Sequence, residues 1–271
     1  MKANTKYKNS IFSFLFSDPD VLRELYCALK GISLPDDVPV IINTLEDVLF
    51  LDRINDISFE IGGRLVVLIE HQSTINPNMA LRLLMYIARV YEKSILDKSI
   101  YSTKKLSIPQ PEFFVLYNGV VPYPDTAIIK LSDLFKNIEP LGLEQGKPVL
   151  ELEVIVLNIN EGKNESIVQH CGLLAQYSTF IAKVREFEKN GTSLQEAVKK
   201  AIMYCRNHDI LKEPLEKQGS EVLNMLMTEW NWDDAKEVWQ EEAREEERKH
   251  FLELLKNGKS PEEILKMYDQ E

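Results

Sequence analysis

The stretch that decides the fold is residues 55–91, NDISFEIGGRLVVLIEHQSTINPNMALRLLMYIARVY. Two apolar segments meet at Gly62-Gly63, and such a pair between β-prone runs predicts a hairpin of antiparallel strands. Asn76-Pro77 comes after the second segment and begins a run with apolar residues at helical spacing. The stretch therefore predicts two strands followed by a helix.

Each predicted strand contains one carboxylate among apolar residues, Asp56 in the first and Glu70 in the second. A lone aspartate more often caps a turn or forms an ion pair. Two buried carboxylates close together, however, repel each other, and a divalent cation relieves that repulsion. Gln72 shares a face with Glu70 because side chains alternate along a strand. The pattern favours a cluster in which Asp56 and Glu70 bind Mg²⁺ or Mn²⁺, hard ions that prefer oxygen ligands.

A shared ion also requires a particular pairing of the two strands. If Ile61 pairs with Arg64 across a two-residue turn, Asp56 pairs with Ile69 and lies on the opposite face from Glu70. The metal hypothesis therefore predicts a three-residue connection, or a β-bulge before Asp56.

Several segments together match the pattern of a known family: Asn55-Asp56, residues 70–73, Asn78-Met79, residues 82–86, 115–119 and 131–135, and His170-Cys171 through Arg185. In these segments the chain resembles the Rpn group of recombination-promoting nucleases, which are also described as transposases and belong to the PD-(D/E)XK nuclease superfamily. The resemblance implies DNA as the substrate and Asp56, Glu70 and Gln72 as catalytic residues. It departs from the superfamily motif at Asn55, where the motif has Pro, and at Gln72, where the motif has Lys.

The lysine replaced by Gln72 would have supplied a positive charge. An amide does not titrate near neutral pH, so Gln72 cannot act as a general base and would position water or phosphate through hydrogen bonds. Arg82 and Arg89 lie seven residues apart on one side of the predicted helix, with Tyr86 in the same stripe, and these three residues are candidates for substrate binding. The stripe is equally explained as the solvated face of the helix, and both interpretations stay open.

Two other features allow more than one interpretation. Tyr117-Asn118-Gly119 ends a further predicted strand, where functional groups often gather, yet turn formation alone explains an Asn-Gly pair. Glu24 in the first predicted helix corresponds to an acid that completes the metal shell in some superfamily members. We expect it not to have that role.

The bulk properties are those of an ordinary globular protein, with 271 residues, 44% hydrophobic and 28% charged. No apolar run approaches the roughly 20 residues that cross a bilayer, and the apolar segment after the N-terminus is short for a signal peptide. The cysteines are widely spaced without a CxxC pair. We therefore expect a cytoplasmic protein with reduced thiols, no zinc site and no membrane partner.

The net charge of −11 is unusual for a protein that binds nucleic acid. Residues 229–271 hold 14 acids and 7 bases, which leaves 29 acids and 25 bases in residues 1–228. The first part of the chain is thus close to neutral. This balance is compatible with weak or partner-assisted DNA binding and disfavours tight, unassisted binding.

The predicted order of elements is a helix, strands, a helix, two strands and then helices only. This order is typical of an α/β protein with a restriction-endonuclease-like mixed sheet flanked by helices and a C-terminal all-helical extension. We expect a nuclease-like core in residues 1–160, a helical appendage in 161–240 and a charged helical tail in 241–271.

The sequence thus predicts a metal-dependent DNA endonuclease associated with recombination or mobile elements. The alternative is a non-catalytic binding or self-associating protein built on a decayed nuclease core. The apolar residues of the tail are too few to form a core alone, so self-association through the C-terminal helices is a further expectation.

Overall fold

The structure is a computed structural model that describes residues 11–43, 55–71, 76–95, 101–136, 147–212, 214–215 and 222. For Asn55, Asp56, Ile69, Glu70, His71 and Ser94 it describes the backbone alone. Contacts divide the chain into two units, Met1–Leu226 and Met227–Glu271, and all the described residues belong to the first. The predicted tail, residues 241–271, lies outside the described residues, and so does most of the appendage beyond residue 212.

A six-stranded mixed sheet in the order β1-β2-β3-β4-β6-β5 forms the centre of this unit. Strands β3, β4 and β6 are parallel to one another, whereas β1, β2 and β5 pair antiparallel with their neighbours. The strands are β1 Val40–Asn43, β2 Asn55–Ile61, β3 Arg64–His71, β4 Gln110–Tyr117, β5 Thr126–Lys130 and β6 Glu153–Asn158. This arrangement confirms the predicted fold class and is consistent with a restriction-endonuclease-like core.

Helices flank the sheet, as predicted. They are α1 Ile11–Leu15, α2 Pro19–Lys30, α3 Met79–Ser94, α4 Glu165–Val168, α5 Gly172–Lys189 and α6 Leu194–Asn207, with a 3-10 helix at Leu131–Leu134. Among the described residues, no helix is long and apolar enough to cross a membrane.

Helix α2 shows how sequence sets the boundaries of an element. The Asp18 carboxylate accepts a hydrogen bond from the backbone N of Asp20 at 2.8 Å, which satisfies a donor that has no partner within the helix. Gly31 ends the helix with φ 62°, a left-handed conformation that glycine adopts without strain.

The two faces of the sheet pack against different helices. Helix α3 covers the face that contains Leu65, Val67, Val115 and Val156, which we call the α3 face. The opposite face, which contains Phe59 and Phe114, contacts α2 through Tyr26, whose ring centroid lies 6.4 Å from that of Phe59.

Helices α1 and α5 lie on the same side as α2. Phe12 of α1 packs against Tyr177 of α5 at 5.8 Å between ring centroids, and Glu24 of α2 hydrogen-bonds to Gly172 of α5. We call the side of the sheet that these three helices cover the α5 face.

The hairpin of β2 and β3 has a two-residue connection, whereas the metal hypothesis predicted three residues or a bulge. Ile61 pairs directly with Arg64, and Gly62 and Gly63 form the two-residue connection with φ 54° and 75°. Two successive positive φ angles are typical of the type I′ turn, whose twist matches that of the flanking strands. The expected third loop residue or bulge is absent from β2 and β3 as described, and that expectation was wrong.

Candidate nucleic-acid site at the carboxyl edge of the sheet

The parallel strands β3, β4 and β6 end at one edge of the sheet. His71, Tyr117 and Asn158 lie side by side there as the last paired residues of the three strands. In open sheets of this kind, ligands bind outside the carboxyl ends of the parallel strands. This edge is therefore the first place to look for a functional site.

The register assigns the two predicted metal ligands to different faces of the sheet. Glu70 pairs with Asn55 and Asp56 pairs with Ile69. Since directly paired residues share a face, Glu70 belongs to the α5 face and Asp56 to the α3 face. Gln72 lies outside the described residues. Among the side chains that the structure describes, no group of three His, Cys, Asp or Glu residues could hold a metal ion.

The predicted substrate-binding residues all lie on α3. Tyr86 is 3% exposed, belongs to the core and donates a hydrogen bond from its hydroxyl to Ser58 Oγ at 2.9 Å. It therefore packs in the core and presents no surface to a substrate in this conformation. Arg82 and Arg89 are half-buried. All three residues belong to the helix that covers the α3 face, and the register assigns Asp56 to the same face.

Glu24, the acid that we expected not to bind metal, has a structural partner. Its Oε1 accepts a hydrogen bond from the backbone N of Gly172 at 2.7 Å. Gly172 is the first residue of α5, so the carboxylate satisfies a backbone donor at the N-terminus of that helix.

The side chains at the edge converge on a guanidinium group. Arg185 of α5 donates from Nη1 to Asn118 Oδ1 at 3.2 Å and to Asn160 Oδ1 at 2.8 Å. Its Nη2 donates to the backbone O of Asn118. We call Asn118, Asn160 and Arg185 the edge cluster, since Asn118 directly follows β4 and Asn160 lies two residues beyond β6.

Further hydrogen bonds fix the orientation of Asn160. Its Nδ2 donates to Asn158 Oδ1 at 2.8 Å and to the backbone O of Gly119 at 3.1 Å. Asn158, which is itself buried, donates from Nδ2 to the backbone O of Tyr123 at 2.9 Å. With its amide nitrogen used in this way, Asn160 presents its oxygen to Arg185.

Asn118 has one donor that these contacts do not use. The residue is 1% exposed, and its Oδ1 accepts from Arg185. Its Nδ2 is buried without a hydrogen-bond partner among the residues that the structure describes. A buried donor in this state is costly, and it marks a place where a ligand could supply an acceptor.

Tyr117 forms one wall of the edge. Its hydroxyl donates to the backbone O of Val121 at 2.6 Å, and its ring centroid lies 4.9 Å from that of Tyr123. Burial raises the pKa of Tyr117 above its ordinary value, although the nearby charge of Arg185 acts in the opposite direction. Tyr117 is therefore a neutral packing group at physiological pH.

Gly119 is required by the close approach of the Tyr117 ring. A Cβ added to Gly119 would lie 2.5 Å from Cε2 and Cζ of that ring. The φ angle of Gly119 is not positive, so its backbone conformation does not require a glycine. The lack of space for a side chain beside the Tyr117 ring does.

Sequence analysis singled out Asn118 but missed Asn160 and Arg185. The sequence LNIN at residues 157–160 gives one signal, because amides directly after a buried strand lie at a sheet edge. Arg185 gives no local signal, since its partners are distant in sequence.

A comparison with protein families places these residues in context. Residues 42–209 match the model of a family described as "Putative transposase, YhgA-like". The match covers more than half of the chain and includes the hairpin and the whole edge cluster. This chain belongs to that family. Membership of the YhgA-like transposase family associates the chain with mobile elements and implies an interaction with DNA. Comparisons with curated proteins and with solved structures gave no match.

Proposed function

We propose that this member of the YhgA-like transposase family is a metal-dependent endonuclease that hydrolyses phosphodiester bonds in DNA. The observation that supports it best is that Glu70 lies near the end of β3, at the same edge of the sheet as the edge cluster. Glu70 pairs with Leu116, and Asn118 lies two residues beyond Leu116, so the carboxylate position and the edge cluster share the carboxyl edge and the α5 face. A sheet edge that carries an acidic position and an oriented guanidinium is the kind of edge at which a phosphodiester can be held and cleaved.

The metal ligands that we propose are Glu70 and Asp56, with Gln72 positioning water or the phosphate. In the register described above, Asp56 and Glu70 do not fit one ion, because they belong to opposite faces. A shared ion therefore requires a pairing of β2 and β3 other than the one described. When held by these residues, Mg²⁺ or Mn²⁺ would supply charge stabilisation at the phosphate and lower the pKa of a water molecule.

A cleavage assay on labelled duplex DNA with Mg²⁺ or Mn²⁺ tests the proposal. We expect the wild type to cleave, EDTA to abolish cleavage, and Glu70→Gln to lower the rate by about 100-fold or more. Glu153→Gln is the matched control, because it removes the same charge at another strand position. Glu153 is the first residue of β6 and forms an exposed ion pair with Lys130 of β5. Absence of cleavage with either metal, or equal cleavage by Glu70→Gln and wild type, would refute the endonuclease.

The second candidate is a DNA-binding protein on a decayed nuclease core. The register favours it, since Asp56 and Glu70 are separated, and so does Gln72 in place of the lysine. Under this proposal the protein binds DNA equally with and without EDTA and cleaves it in neither condition. In both proposals the C-terminal helices, including residues 241–271, mediate self-association.

A further inference from the structure

We propose that strand β5 is a docking edge for a second copy of this chain, which adds its own β5 antiparallel to the sheet. Among the described residues β5 is the last strand in the sheet order, so β6 is its neighbour on one side and no strand pairs with it on the other. The proposal concerns assembly, and it holds whether or not the chain cleaves DNA. It is also separate from the self-association that we expect of residues 241–271.

The open side of β5 is identified by the hydrogen bonds on its other side. Asp125 O accepts from Asn158 N at 2.9 Å, and Leu131 N donates to Leu152 O at 2.9 Å. In an antiparallel pair, every second residue bonds to a given neighbouring strand. Every second residue from Asp125 to Leu131 therefore bonds to β6, and the backbone groups of the residues between them point away from it.

The residues whose backbone groups point away from β6 are Thr126, Ile128 and Lys130. Within the described part of the chain, these outward N–H and C=O groups have no hydrogen-bond partner. A row of unpaired backbone groups at a sheet edge is a template for pairing with another strand. Ile128, at the centre of the row, has a side chain that is 53% exposed. The edge thus combines free donors and acceptors with an apolar centre.

A two-fold axis at Ile128 gives a pairing in which this strand complements itself. Ile128 then lies opposite Ile128 of the second copy, and Thr126 lies opposite Lys130. The outward backbone groups of all three residues face those of the other copy, so that donors and acceptors match along the whole strand. The two Ile128 side chains share a face of the joined sheet and cover each other, which removes exposed apolar surface from water.

Lys130 is compatible with this pairing, although a lysine often protects a sheet edge from association. Its Nζ forms an ion pair with Glu153 Oε1 of the same chain at 2.9 Å, so its charge is compensated. In the two-fold register Lys130 meets Thr126, a neutral residue, and no like charges face each other. The matching register and this charge pattern are the reasons for assigning a second copy as the occupant of the edge.

Disulfide cross-linking of the full chain tests the pairing. In the proposed register the two residues at position 128 have Cα atoms about 5.5 Å apart, within the range that a disulfide spans. On mild oxidation, Ile128→Cys should therefore form a covalent dimer at least about tenfold faster than Ile41→Cys. Ile41 is the matched control, because it lies in the other edge strand, β1, and is 57% exposed. Equal rates of cross-linking would overturn the proposal.

Substitution with charged residues tests whether residue 128 meets its own copy. Ile128→Lys and Ile128→Glu should each raise the dissociation constant of self-association at least about tenfold, because like charges then lie opposite each other. The measurement is sedimentation equilibrium of the full chain. An equimolar mixture of the two variants should recover the wild-type value, since opposite charges then meet. Ile41→Lys adds the same charge to the other edge of the sheet and should leave the dissociation constant unchanged.

Equal dissociation constants for Ile128→Lys and Ile41→Lys would overturn the proposal, and so would a mixture that associates no better than its components. A wild-type chain that stays monomeric throughout the measured range would overturn it as well, and would mean that the edge stays open or that another segment of the chain covers it. If a charged variant does not fold, the cross-linking of Ile128→Cys decides, because that change introduces a small neutral side chain at an exposed position.

Discussion

Asn55 lies directly opposite Glu70 in the hairpin of β2 and β3, and Asp56 lies opposite Ile69. The residue that shares a face with the proposed metal ligand is therefore an amide, and the second carboxylate belongs to the other face. Amide oxygens also bind hard divalent cations, so the proposed metal site has two alternative forms. In one form Asp56 joins Glu70 as a ligand, and in the other Asn55 does.

Titration calorimetry with Mn²⁺ distinguishes these forms. If Asp56 and Glu70 share the ion, Asp56→Ala and Glu70→Ala should abolish the binding heat and Asn55→Ala should retain it. Loss of binding in Asn55→Ala with binding intact in Asp56→Ala would show that the register stays as described and that Asn55 is the ligand. Absence of Mn²⁺ binding by the wild type would favour the non-catalytic protein.

Tyr86→Phe should destabilise the protein through a buried hydrogen bond. The change leaves Ser58 Oγ without the Tyr86 hydroxyl in the core, and we expect a loss of about 1–2 kcal/mol in the free energy of unfolding, measured with urea. In the double variant with Ser58→Ala, the loss should be smaller than the sum of the single losses. If Tyr86 has a packing role alone, DNA affinity in EDTA should be unchanged. A loss of affinity at unchanged stability would instead support Tyr86 as a substrate-binding residue.

Gly119→Ala should be destabilising because its methyl group meets the Tyr117 ring. That ring is buried and held by its bond to Val121, so we expect a loss of about 1–3 kcal/mol, the usual cost of overpacking. Gly172→Ala is the control, since the nearest atom to its Cβ is Glu24 Oε1 at 3.8 Å. As alanine favours helices, Gly172→Ala should leave stability unchanged or raise it slightly. Equal melting temperatures for the two variants would contradict this account.

Alkaline pH should weaken the fold through two buried thiols. Burial raises the pKa of Cys171 and of Cys205 from about 9 to about 11, and the negative charge of Glu24 adds to the effect at Cys171. As the pH rises above 9, the unfolded state loses these protons first. The stability contributed is therefore complete below pH 9 and is lost as the pH rises towards 11.

Urea unfolding at pH 8 and at pH 10.5 measures this loss. The double variant Cys171→Ala/Cys205→Ala should decline less over that interval than the wild type. An equal decline would show that the thiols do not contribute and would leave tyrosines such as Tyr26, whose pKa burial raises to about 12, as the cause.

Truncation after Gln240 tests self-association through the tail. The apolar residues of 241–271 either fold back on the helical appendage or contact a second chain. If the tail mediates assembly, the shortened protein should have a smaller mass by light scattering. It should still bind Mn²⁺, because the proposed ligands all precede Ser73. An unchanged mass would place self-association elsewhere, and loss of folding would make the tail part of the core.

Most of the sheet could be predicted because its strands are long apolar runs bounded by turn residues. β5 could not, because TAIIK is a short edge strand whose residues alternate between exposed and half-buried. The register was predicted wrongly because the metal hypothesis was given more weight than the turn. Gly62 and Gly63 favour a two-residue type I′ connection, and the structure follows that local preference.

The candidate site was only partly predictable, for a different reason. Asn118 and Glu70 lie in segments whose local pattern marks a strand end, so the sequence alone singles them out. Arg185 reaches Asn118 across 67 positions of the chain. A contact of that separation leaves no periodicity or spacing to detect in one sequence.

The bonds from Arg185 to Asn118 and Asn160 also constrain how the family can evolve. They link α5 to the ends of two strands that lie within residues 1–160, the segment expected to form the nuclease-like core. A recombination event that replaced residues 161–240 with those of a distant relative would risk leaving both asparagine oxygens without the donor that Arg185 provides. Substitutions at these three positions should therefore be inherited together across the family, even where the surrounding helices diverge.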